Sequence, residues 1–102
     1  MRGRQLNENF HLEFWREAGI EITNAYLYYE SKSTGLGEKF FEDLDDCLRR
    51  LADNPEQFPR KNKTYREALL TKFPFLVIYE VIQDLVVIYS IFNTWQDPRR
   101  KP

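Results

Sequence analysis

The run Phe73–Trp95, FPFLVIYEVIQDLVVIYSIFNTW, decides how the rest of this sequence is read. Two segments, Phe75–Ile82 and Leu85–Phe92, are dense in Val, Ile, Tyr and Phe, which suit a pleated, half-buried surface. Only Gln83 and Asp84 separate them, a connection of the length that makes a tight hairpin. In that register Ile82 faces Leu85, Tyr79 faces Ile88 and Phe75 faces Phe92. One face then carries Phe75, Val77, Tyr79, Val81, Val86, Ile88 and Phe92, with Ser90. The other carries Leu76, Ile78, Ile82, Leu85, Val87, Tyr89 and Ile91, with Glu80. Both faces are apolar, and such a sheet is normally covered on both sides.

Working outward, the residues before the hairpin supply the cover for one side. Asn9–Trp15 alternates, with Phe10, Leu12 and Phe14 on one side, which predicts a first strand. His11, the single histidine, points the other way and reads as a surface residue. From Glu17 to Lys32, Ala18, Ile22, Ala25, Tyr26 and Tyr29 recur at the spacing of a helical face, and Glu17 and Glu21 suit its opening turn. The cluster Tyr26, Tyr28 and Tyr29 reads as core packing with hydroxyls at the rim. Ser33-Thr34-Gly35 breaks the helix, and a second runs from about Leu36 to Asp53 with the stripe Leu36, Phe40, Leu44, Cys47, Leu48 and Leu51. Glu42, Asp43, Asp45, Asp46, Arg49 and Arg50 fill its other side and read as solvated. Two helices on a short loop form an antiparallel hairpin, a natural lid for one sheet face.

After Asn54-Pro55 comes a loop with the basic tip Arg60, Lys61 and Lys63, then a strand at 64–70 ahead of the central hairpin. The tail 93–102 ends in DPRRKP and reads as a disordered basic end. The expected order is therefore β-α-α-β-β-β, an α+β fold in one domain over 1–102. Its helices span about 17–32 and 36–53, and its strands about 9–15, 64–70, 75–82 and 85–92.

Composition narrows the function classes. Hydrophobic residues at 42% beside 30% charged residues mark an ordinary globular chain rather than a disordered one. No apolar run approaches the roughly 20 residues that span a bilayer, and no hydrophobic segment follows the charged N-terminus, so a cytoplasmic protein is expected. A single cysteine excludes an internal disulfide, and without clustered His or Cys no metal or cofactor is implied. Residues 1–56 hold seven Lys/Arg and twelve Asp/Glu, net −5; residues 57–102 hold eight and four, net +4. Contact with a polyanion is accordingly expected on the second half.

The tracts AYLYYESKSTGLGEKFFEDLD (Ala25–Asp45), LADNPEQFP (Leu51–Pro59), REALLTKFPFLVIYEV (Arg66–Val81) and IFNTWQDPRR (Ile91–Arg100) resemble the RelE/ParE toxin superfamily. These are the toxins of type II toxin–antitoxin systems, often called plasmid-stabilisation proteins. The likeness covers about Phe10 to Arg100 in the family order. It implies an N-terminal strand, a helical hairpin and a C-terminal antiparallel strand set, in a toxin neutralised by a cognate antitoxin as a hetero-oligomer. With the helices over one sheet face, the antitoxin is expected to cover the other at Leu76, Ile78, Tyr89 and Ile91.

The superfamily divides by target. Its ribonuclease branch cuts messenger RNA on the ribosome, which needs a group to assist the 2′-hydroxyl, a cation for the phosphate and an acid for the leaving oxygen. Aligned with that branch, basic positions are held here by Leu76, Thr94 and Glu67. What remains is Lys61, Lys63, Arg66, Arg99 and Arg100 as target contacts, with Arg66, Tyr79 and Tyr89 as catalytic candidates. Arg66 has a competing reading as the partner of Glu67 or of a helix acid. The ParE-like branch blocks DNA gyrase by binding and needs no catalytic set, and GLGEKFF is closer to it. The resemblance thus puts gyrase inhibition ahead of RNA cleavage, and both ahead of a non-toxic antitoxin-binding module.

Overall fold

The central run forms the expected antiparallel pair, β3 (Phe75–Ile82) and β4 (Leu85–Asn93), closed by a turn in which Gln83 takes a left-handed φ of 57°. A computed structural model describes residues 10–102; Asn9, where the first strand was expected to begin, and the polar lead before it lie outside them. Around the pair stand β1 (His11–Phe14), α1 (Arg16–Lys32), α2 (Leu36–Asp53) and β2 (Arg66–Leu69). The sheet order is β1-β4-β3-β2, with β1 parallel to β4 and the other pairs antiparallel. The order β-α-α-β-β-β stands, and the helical hairpin carries the chain from one sheet edge to the other.

One residue alters the register. Ile82 faces Leu85 and Tyr79 faces Ile88 as expected, but Ile78 faces Ser90 and Phe75 faces Asn93 rather than Phe92. Tyr89 is the extra residue of a β-bulge, which two regular strands cannot anticipate. Alternation restarts beyond it. Ile91 therefore joins the core under the helices, while Phe92 moves out of that cluster.

The core lies between the hairpin and one sheet face. Ala18 and Ala25 of α1 and Phe40, Leu44, Cys47 and Leu51 of α2 pack on Val77, Tyr79, Val86 and Ile88. Burial pushes the Cys47 thiol up to about 11, as befits an apolar filler. Tyr26 and Tyr29 pack against this core, but Tyr28 is exposed, contrary to its expected packing.

The GLG tract has a mechanical reason. The Glu30 carboxylate accepts from the backbone N–H groups of Gly35 and Gly37, satisfying donors at the start of α2. Gly35 sits at φ 88°, a conformation that costs other residues more. At Gly37 a Cβ would lie 2.7 Å from the Tyr26 ring, so only glycine lets α1 and α2 meet this closely.

Asp43 is a second correction. It is 4% exposed rather than solvated, and it accepts from the Thr71 hydroxyl at 2.7 Å and from the N–H groups of Lys72 and Phe73, each at 2.9 Å. The carboxylate ties α2 to the turn that leads into β3. Burial raises its pKa, but these hydrogen bonds outweigh burial and hold it below the ordinary value.

Candidate functional site

The sheet separates the three catalytic candidates. Arg66 and Tyr79 are opposite one another in the β2–β3 register, on the side that faces the helices. Both are committed to the loop after α2. The buried Tyr79 hydroxyl donates to the Pro55 carbonyl, and Arg66 Nη1 donates to the carbonyls of Phe58, at 2.8 Å, and Glu56. Burial pushes the Tyr79 phenol well above its ordinary value, more than the nearby Arg66 charge pulls it down. The Tyr79 hydroxyl and the Arg66 guanidinium thus both hold the NPEQFP segment, and Arg66 does so rather than pairing with Glu67 or a helix acid.

Tyr89 lies on the other face. Its hydroxyl donates to Glu80 at 2.6 Å, and that bond, followed by burial, pushes the phenol up to about 12. Trp15 meets the Tyr89 ring edge-on at 4.3 Å between centroids, and Tyr65 does so at 5.3 Å. The result is an aromatic row across the face away from the helices, with Trp15 half exposed. Sequence reasoning missed Trp15 and Tyr65. The usable signal was parity: Tyr65 alternates with Arg66 and so shares the side of Glu67, away from the core.

Beside this row the chain turns tightly through its basic tip. Asn62 Oδ1 accepts from the N–H groups of Thr64 and Tyr65, and Lys61 N–H donates to the Tyr65 carbonyl. A hollow of about 250 Å³ there is lined by Arg60, Lys63 and Arg66 together with Glu56 and Glu80. A second, of about 450 Å³, lies along β2 and is lined by Phe58, Lys61, Glu67, Leu69 and Leu76 among others.

The tail is ordered rather than loose, because its charges find partners. Arg99 grips Asp97 through Nε and Nη2, and Pro98–Arg100 forms a 3-10 turn. Lys101 pairs with Glu67 at 3.0 Å, with its ammonium 5.8 Å from the Phe92 ring centroid. The chain therefore supplies part of a second cover itself. Of the residues expected beneath a partner, Leu76 and Tyr89 are partly exposed and Ile78 is 1% exposed. Ile91 points to the helices, because the bulge has reversed its side.

Among the described residues no group of His, Cys, Asp and Glu is placed to hold a metal ion, and no helix is long and apolar enough to cross a membrane. Nor do Arg66, Tyr79 and Tyr89 converge on one point, which general acid–base chemistry requires. What the described surface offers on the side away from the helices is an aromatic row, apolar residues of β3 and β4, and a basic turn at its border.

A strand, a helical hairpin and an antiparallel strand set joined in this order recur as a fold in solved structures. Among solved structures ten chains match. One, from the chromosomal ParDE toxin–antitoxin system of P. aeruginosa, aligns with a TM-score of 0.70 at 20% identity, over 84% of this chain and 97% of that one. No curated protein matches. The family model described as the ParE toxin of the type II toxin–antitoxin system parDE matches residues 12–98. The chain belongs to the ParE toxin family.

Proposed function

We propose that the free protein arrests bacterial growth by binding DNA gyrase, and that a cognate antitoxin neutralises it in the cytoplasm. The observation that carries the choice of target is the separation of Arg66 and Tyr79 from Tyr89 by the sheet, with the first two braced to carbonyls. A ribonuclease needs such groups around one phosphodiester, whereas a binding toxin needs only a complementary surface. Glu67 and Leu76, where the ribonuclease branch has basic residues, support the same reading, since Glu67 is held by Lys101.

The antitoxin is proposed to dock on the face that carries Trp15, Tyr89 and Leu76, beside the basic turn of Arg60, Lys61 and Lys63. The half-exposed Trp15 and the partly exposed Tyr89 there are aromatic anchors of the kind that dominate interfaces. Lys61, Lys63 and Arg100 remain the proposed contacts to the target.

The test is to induce the chain alone in bacteria and map RNA 5′ ends within minutes, alongside a supercoiling assay with purified gyrase. Arrested growth, intact messages and blocked supercoiling are expected. Cuts at codon-phased positions would move the protein to the ribonuclease reading, and unimpaired growth would make it an antitoxin-binding module.

A further inference from the structure

A cleft of about 190 Å³ lies between α1 and the end of β4, with Phe75 and Ile91 of the helix-side core in its lining and so away from the aromatic row. Its single charged lining residue is Glu21. Glu21 Oε1 accepts from the Ile91 N–H at 2.8 Å and from the Ser90 hydroxyl at 2.9 Å. Oε2 has only that same hydroxyl, at 3.2 Å, and a hydroxyl has one proton to give. Among the described residues no Lys, Arg or His forms an ion pair with this carboxylate. Glu21 is therefore an anion in the wall of a cleft, with accepting capacity to spare and no cation of its own. The rest of the lining suits a cation. Tyr28 and Tyr29 bring aromatic rings, and the Tyr28 ring already has the Lys32 ammonium 5.1 Å from its centroid. Asn24 and Gln96 bring side-chain amides whose oxygens accept. The wall that carries Gln96 is held in place, since its N–H donates to the Asn93 carbonyl at 2.9 Å and the Thr94 N–H donates to the Pro74 carbonyl at 2.8 Å.

We propose that this cleft receives the guanidinium group of an arginine side chain from a protein partner. Charge selects a cation and rejects an anion, because the lone carboxylate is the only charge in the lining. Shape selects guanidinium over ammonium: its plane stacks on aromatic rings while its five N–H donors reach several acceptors at once. Size limits the occupant to one side chain, since the cleft is smaller than the roughly 300–1,000 Å³ of pockets that take drug-sized ligands. The rim points to a protein as the carrier. Tyr28 there is 55% exposed and Leu27, one helical turn from Asn24, is 58% exposed, an uncharged apolar surface on which the chain bearing the arginine can lie. This cleft is separate from the face assigned above to the antitoxin, so the inference stands apart from that reading.

The experiment is amide NMR titration of the full chain with an acetylated, amidated leucine–arginine–leucine tripeptide, set against the same tripeptide carrying citrulline, the uncharged isostere of arginine. Saturable shifts at the amides of Ile91, Asn93 and Gln96 are expected in the millimolar range for the arginine peptide, with binding weaker by about tenfold or more for citrulline. Glu21→Gln should weaken the arginine peptide to a similar extent. Because that change also touches the Ser90 and Ile91 hydrogen bonds, Asn24→Lys is the second variant: at an exposed helix position it brings a cation to the cleft and should block the peptide, with circular dichroism verifying the fold. Ethylguanidinium, the head of the side chain alone, should bind more weakly than the tripeptide. No saturable shift at these amides, equal affinity for the citrulline peptide, or binding indifferent to Asn24→Lys overturns the proposal. Ethylguanidinium binding as tightly as the tripeptide overturns the protein source.

Discussion

Removing the Asp43 carboxylate should cost more stability than any other single change to a charged group of α2. The side chain takes three hydrogen bonds from the turn before β3, two of them from backbone N–H groups that have no other acceptor within reach of the described contacts. A hydrogen bond contributes about 1 kcal/mol net, so losing three of them in Asp43→Ala should cost roughly 3 kcal/mol. For a domain of this size that corresponds to a Tm lower by roughly 12–24 °C. The pH dependence gives an independent readout. Asp43 has a folded-state pKa below the ordinary 3.8, so its contribution is complete above that value and is lost as pH falls through the lower, folded value. Asp43→Asn cannot titrate, and its deficit against the parent should shrink in that acidic window. Thermal melts of parent, Ala and Asn chains over a pH series make the measurement. A loss below about 1 kcal/mol in the Ala chain, or an Asn deficit equal at neutral pH and well below 3.8, would refute the reasoning.

Other expectations follow from the same packing. Gly37→Ala pushes a methyl group into the Tyr26 ring and should cost about 1–3 kcal/mol, read as a lower urea midpoint with an unchanged slope. Tyr79→Phe frees one carbonyl of the loop after α2 and Arg66→Ala frees two; about 1–2 kcal/mol and faster proteolysis within 55–60 are expected for each. Glu80→Gln removes the negative charge from the acceptor of the Tyr89 proton, so ultraviolet titration should show that phenol ionising below its present value of about 12. In the parent, neutral Tyr89 favours the folded state below pH 10, and that preference is lost as pH rises through about 12.

Much of this fold is legible because its signals are local. Both helices and the central hairpin follow from apolar spacing over a few turns or a few pleats, and their bounds fall within a residue or so of those expected. The parallel pairing of β1 with β4 is not legible, since it depends on how a distant hairpin returns to the sheet. Asp43 is an intermediate case. Phe40, Asp43, Leu44, Cys47 and Leu51 share one helical stripe, so the periodicity that found the core also put the carboxylate in it. Judging Asp43 by its charge rather than its angle hid this. Residue type nominated Arg66 and Tyr79 as catalytic candidates; that both donate to carbonyls of NPEQFP is revealed only by the folded loop.

The extra residue in β4 works as a change of parity within one strand. Before Tyr89 the even-numbered residues Val86 and Ile88 face the helices; after it the odd-numbered Ile91 does. Substitution and deletion at this position therefore differ in kind. Replacing Tyr89 alters one ring on the face away from the helices, whereas deleting it removes the extra residue and leaves a regular ladder in which Ser90 still faces Ile78 and Ile91 still faces Val77. The phase of segment 90–102 is set by that one extra residue: the same chain paired without the bulge would turn Phe92 rather than Ile91 toward the helices.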